Sequence, residues 1–208
     1  MPLIHENIWD NQELVSVWKI TESEEELEEF ANNKAPVQLI SSLKKQQWLA
    51  SRGLLRKSLD DLFSVKNAQV EKTISGNPFL VDHNMQISIS HSAEYAAVRL
   101  SANKQVGIDI EKYHKKVMNV KHKFLNEIEK ECFDTDDEKM VMQIWCAKEC
   151  VFKWYGKGEV SFQNHIQIFK DTSSSFLKAN FTKEETPQNI LMRQLNLDNE
   201  EICLLYTL

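Results

Sequence analysis

The period of the apolar pattern switches between two and 3.6 residues in an order that recurs along the chain, and this restricts the fold more than any single motif. Residues 14–20 (LVSVWKI) alternate apolar and polar positions, as a half-buried strand does. Thr21 or Ser23 can cap the acidic helix that follows, whose first-turn glutamates suit the helix dipole. In residues 39–63, Leu39, Leu43, Trp48, Leu55, Leu59 and Leu62 recur at three-, four- or seven-residue steps, the 43–48 gap apart, which predicts a long helix. SGNP (75–78) reads as a turn, and residues 86–90 and 95–100 as strands joined by a turn at 91–94. Asn103–Lys104 is expected to close a hairpin into a strand at 105–111. Helices are predicted at 115–133 and 137–155, the second ended by Gly156 and Gly158. The tail alternates short strand-like runs: HIQIF, SFLKANF, ILMRQL and EICLLY. Strands, helices and strands again, twice over, predict an α+β fold with antiparallel sheets, not a doubly wound parallel sheet. A boundary near 102–104 would give two subdomains, 1–103 and 104–208.

Composition narrows the class. With 208 residues, 42% hydrophobic and 27% charged, the chain has an ordinary soluble balance and room for a sizeable core. No apolar run approaches the roughly 20 residues of a membrane-spanning helix, and MPLIHENIWD has no secretory character. The expectation is a cytoplasmic protein without membrane partners. Cys132, Cys146, Cys150 and Cys203 form no CxxC pair, so reduced thiols near a core are expected. A net charge of −6 argues against nucleic-acid binding. That charge is uneven: residues 22–29 hold six glutamates, and residues 112–123 hold five lysines, two histidines and no acid. The basic segment is either a solvated stretch or a docking patch for something negative.

Four segments carry chemistry. In Gly107-Ile108-Asp109-Ile110-Glu111, strand alternation puts Asp109 and Glu111 on one face. Such a pair suits Mg²⁺ bound to a substrate phosphate, or is a strand edge with two solvated acids. In the helical run from Trp145 to Lys153, Trp145, Glu149 and Lys153 line up, and Lys148 could reach the same ligand from the side. His91, between Ser90 and Ser92 at a strand end, could bind phosphate or act as a base, but no GxSxG elbow supports a serine hydrolase. Arg52 and Arg56 share a helix face and could fork onto phosphate oxygens.

GNPFL (76–80), SISHS (88–92), GIDIE (107–111) and WCAKECVFKWYGKG (145–158), in this order and spacing, resemble the 4′-phosphopantetheinyl transferase superfamily; so does LASRGLLRKSL (49–59). The length resembles its Sfp-like branch, two similar α/β subdomains related by a pseudo-twofold axis in a monomer. The resemblance implies transfer of the phosphopantetheine arm of coenzyme A to a serine of an apo carrier protein, with Mg²⁺. It implies that Asp109, Glu111 and Glu149 bind the metal, Glu149 also acting as general base. It implies coenzyme A contacts from Lys153, Lys148, His91, Ser90 and the Asn77-Pro78 turn, with Arg52 or Arg56 on the 3′-phosphate. Asn77 replaces a lysine common in the family, which moves phosphate binding onto the arginines. Either Glu127 or Glu129 supplies an acid that the family places before its last helix. Carrier proteins of this class are acidic, so Lys112–Lys123 becomes the expected docking segment. Two other readings fit the acids: another Mg²⁺-dependent phosphodiesterase or nuclease, and a non-catalytic module binding coenzyme A or a carrier protein.

Overall fold

A computed structural model of the chain describes residues 3–10, 12–170, 176–198 and 200–208. The chain divides into two units, Met1–Val106 and Gly107–Leu208.

Among the described residues, the first unit contains an antiparallel sheet of order β1-β2-β6-β5, with β1 Leu3–Trp9, β2 Glu13–Lys19, β5 Gln86–Ser92 and β6 Tyr95–Ser101. Helices α1 (Glu24–Ala31) and α2 (Ser42–Phe63) pack against it, and a small hairpin of β3 (Val70–Lys72) and β4 (Pro78–Leu80) follows them. Leu14, Trp18, Val98 and Leu100 from the sheet meet Leu49, Leu54, Leu55 and Leu59 of α2 in one apolar core. Ser23 caps α1 through a reciprocal box with Glu26, an arrangement worth about 1 kcal/mol. Gly53 lets α1 approach α2: a β-carbon there would lie 2.2 Å from the Phe30 ring, which itself stacks on Trp18 at 4.6 Å.

The second unit contains an antiparallel sheet of order β7-β11-β10-β9-β8, with β7 Ile108–Lys112, β8 Ile166–Lys170, β9 Phe176–Phe181, β10 Gln188–Gln194 and β11 Ile202–Thr207. Between β7 and β8 come α3 (Lys116–Val120), a 3₁₀ turn (Lys121–Lys123), α4 (Glu127–Cys132), α5 (Glu138–Tyr155) and α6 (Phe162–His165). Helix α5 lies against the sheet and buries Val141, Ile144, Ala147 and Val151, spaced as one face of a helix requires. Gly156, at φ 69°, ends it in the left-handed conformation and donates to Phe152 O. No helix among the described residues is long and apolar enough to cross a membrane. The α+β expectation with antiparallel sheets holds.

Three local expectations fail. Asn103–Lys104 closes no hairpin: the amides of both residues donate to Ser101 Oγ, and β7 pairs instead with β11. The predicted helix 115–133 is broken at Phe124 and Leu125, which turn into the core, and Asn126 starts α4 afresh by capping Glu129. The long first helix starts at Ser42, because Ser41 is its extended N-cap residue. Strand β1 and the β3–β4 hairpin were not anticipated. The predicted SFLKANF strand begins at Ser175, outside the described residues, and β9 covers the rest.

Candidate active site

In the second unit, β7 and α5 bring Asp109, Glu149 and Lys153 within reach of one another, and the charge of Glu111 is felt at Glu149. The backbones of strand and helix touch at Gly107, where a β-carbon would stand 2.1 Å from Cys150 O and 3.0 Å from Trp154. The contact is fastened by Cys146 Sγ, which donates to Asp109 O at 3.2 Å, while Gly107 N ties the start of the strand to β11 by donating to Thr207 Oγ1 at 2.9 Å. Asp109 is 3% exposed, and its Oδ1 accepts from Lys153 Nζ at 2.6 Å. Burial works against the Lys153 charge, but Asp109, with help from Glu149 and Cys146, outweighs it and the ammonium is held above its ordinary pKa. Burial, with repulsion from Asp109 and Glu111 and opposed by Lys153, pushes the Glu149 carboxyl up to about 7.

Glu149 is thus repelled by two acids and attracted by one lysine, an imbalance that a hard divalent cation would relieve. Among the described residues no group of three or more His, Cys, Asp or Glu side chains converges enough to cage a metal. The donor chemistry suits an ion that takes its remaining ligands from water and a phosphate, which is how Mg²⁺ is commonly held.

Lys148 corrects the sequence reading. Its side chain is fully buried and lies on another face of α5, with Nζ 2.7–2.8 Å from Phe124 O, Phe162 O, Ile166 O and Glu129 Oε2. Three N–H donors meet four protein oxygens, which leaves none for a ligand. Glu129, not exposed Glu127, is thus the internal acid: its other oxygen accepts from Ile168 N at 2.8 Å. Trp145 joins an aromatic cluster with Phe124 and Phe162, at 5.0 and 5.6 Å.

The remaining predicted residues lie in the first unit. Arg52 and Arg56 both line a cleft of about 490 Å³ with Trp48, Asn32, Asn67 and Gln69. They differ in what holds them. Arg56 donates from Nε and Nη2 to Phe30 O at 3.1 and 2.7 Å. Arg52 lies 5.3 Å from the Trp48 ring and, among the described residues, makes no protein hydrogen bond, while burial lowers its pKa. The sequence reading missed this role of Trp48, although its i, i+4 spacing to Arg52 was legible. Asn77 and Pro78 sit half-buried at the β3–β4 turn, where Asn77 N donates to Thr73 Oγ1 at 3.1 Å. Ser90 is buried and His91 exposed, opposite Ala97 and Ala96 of β6. Of the basic segment, Lys115, Lys116 and Lys123 are exposed and Lys112 is half-buried; Lys121 is engaged by Thr135 O and Asp136.

Residues 105–205 match the family model described as the 4′-phosphopantetheinyl transferase superfamily. A curated protein of Haemophilus influenzae named "Putative 4′-phosphopantetheinyl transferase" is 32% identical over 118 residues, which cover 52% of this chain and 49% of that protein. The chain thus spans about half the length of the curated relative it matches.

Proposed function

We propose, from the match of residues 105–205 to the 4′-phosphopantetheinyl transferase superfamily, that this chain moves the phosphopantetheine arm of coenzyme A onto a serine of an apo carrier protein. The observation that carries the proposal is the 2.6 Å contact of Lys153 with Asp109, inside the matched segment and beside Glu149. A phosphoryl transfer needs positioning and charge neutralisation more than covalent help from the protein, and this cluster provides both kinds of group.

Asp109, Glu111 and Glu149 would hold Mg²⁺, whose charge offsets that of the phosphoryl oxygens. Lys153, fixed by Asp109, presents an ammonium to the diphosphate. Glu149, directly or through a water, takes the proton of the incoming serine hydroxyl. The serine oxygen forms a bond to the phosphorus bearing pantetheine, and the bond to 3′,5′-adenosine bisphosphate breaks. In the first unit, Arg52 takes the 3′-phosphate, since Arg56 is already committed to Phe30 O. Ser90, His91 and the Asn77-Pro78 turn supply further coenzyme A contacts. Lys148 has no part in ligand binding. An acidic carrier protein docks against Lys112, Lys115, Lys116 and Lys123, with complementary charge raising its on-rate.

Incubation of the protein with coenzyme A, Mg²⁺ and a panel of apo carrier proteins, followed by intact-mass measurement, tests the proposal. One phosphopantetheine added to at least one carrier is the expected result. No added mass on any carrier, with cleavage of DNA or RNA under the same conditions, would favour the phosphodiesterase reading instead.

A further inference from the structure

Lys148 is a strange residue to find at 0% exposure unless its charge has a task. Its ammonium gathers several separate pieces of chain. Phe124 O belongs to the break after the 3₁₀ turn, Glu129 to α4, and Phe162 O and Ile166 O to the two ends of α6. Glu129 extends the node: Oε2 also accepts from Asn126 N and Oε1 from Ile168 N. Gln163 ties α6 back to the basic segment through His122 O and Leu125 O, at 2.8 and 3.1 Å. Without the ammonium, three carbonyls and a carboxylate would be left facing one another in a water-free space.

The segment so held, from Lys121 to Cys132, begins with the basic surface that includes exposed Lys123, and α4 presents Ile128 at 49% exposure. The helix that holds it also carries Glu149 and Lys153. We infer that Lys148 is a positioning residue that, paired with Glu129, locks the carrier-docking segment onto the helix bearing Glu149, and so governs affinity for carrier protein and not for coenzyme A. This rests on the function proposed above.

The first test uses the unaltered protein. Folded wild type is treated with an amine-reactive reagent, with and without coenzyme A and Mg²⁺, and modified lysines are located by peptide mass mapping. Lys148 is expected to react at least about tenfold more slowly than Lys153, whose side chain is 23% exposed, and coenzyme A is expected to leave its rate unchanged. Ready modification of Lys148 that coenzyme A blocks would overturn the inference. The second test compares wild type with Lys148→Met and Glu129→Gln. Hydrogen exchange is expected to speed up in residues 121–132 and 162–168 first, and KM for carrier protein to rise at least fivefold with KM for coenzyme A within twofold. The reverse split of KM would overturn it, as would exchange that accelerates evenly across the chain. If Lys148→Met does not fold, Glu129→Gln and the labelling decide. If wild type transfers nothing, the proposed function falls, while labelling and exchange still report whether the node holds the segment.

Discussion

The carbonyl oxygen of Cys150 stands 2.1 Å from where a β-carbon on residue 107 would be, so β7 lies on α5 only because residue 107 is glycine. That contact sets the distance between the strand bearing Asp109 and the helix bearing Glu149 and Lys153. Backbone cannot yield as a flexible side chain does. Gly107→Ala is therefore expected to cost about 1–3 kcal/mol of stability through overpacking. It should also slow transfer by about 100-fold, the scale of a 1 Å misplacement. Thermal melting and a single-turnover rate check both. A variant with unchanged rate would mean that the β7–α5 spacing does not set the site.

Arg52 and Arg56 share a helix face but not a role. Arg52→Ala is expected to raise KM for coenzyme A by about 10- to 100-fold, the value of a charge-assisted phosphate contact. The same variant should leave KM for dephospho-coenzyme A, which lacks the 3′-phosphate, within about twofold. Arg56→Ala should instead lower the melting temperature, because Phe30 O loses two donors. Steady-state kinetics with the two substrates and a melt of each variant separate the roles.

The sequence made the motif-bearing faces legible and left hidden what depends on long-range packing. Asp109 and Glu111 could be placed on one strand face, and Glu149 and Lys153 on one helix face, by period alone. That Lys153 reaches Asp109 requires the β7–α5 contact, which no local pattern encodes. Lys148 was misread for a related reason: one position on a helix is 100°, enough to move a side chain from the ligand side to the α4–α6 side. The Asn103–Lys104 turn looked like a hairpin because two β-like runs flank it; the second run finds its partner in β11, about a hundred residues later. The break at Phe124 was likewise invisible to helix propensity, since burial of Phe124 and Leu125 decides it.

Acid should loosen the first unit through Glu13. This carboxylate pairs with Arg99, which is 1% exposed, and with Lys104 at 2.9 Å. Burial works to raise the Glu13 pKa, but hydrogen bonds from Lys104 and Arg99 and their charges outweigh it, holding the group below its ordinary 4.5. A depressed acid adds stability that is complete above the unfolded value and lost as pH falls through the folded one. Glu13→Gln should thus destabilise the protein by about 1.5–3 kcal/mol at neutral pH. The gap from wild type should narrow as pH drops below 4.5. Denaturant titrations across that range check it; a constant gap would show that the Glu13 charge contributes nothing.

In the proposed mechanism, acids from β7 and α5 share one divalent ion with the coenzyme A diphosphate. Calorimetric titration of Mg²⁺ into the protein with coenzyme A bound, compared with Asp109→Asn and Glu149→Gln, measures this directly. One ion per wild-type chain is expected, with at least a tenfold loss of affinity in each variant. Wild-type affinity in both variants would contradict it.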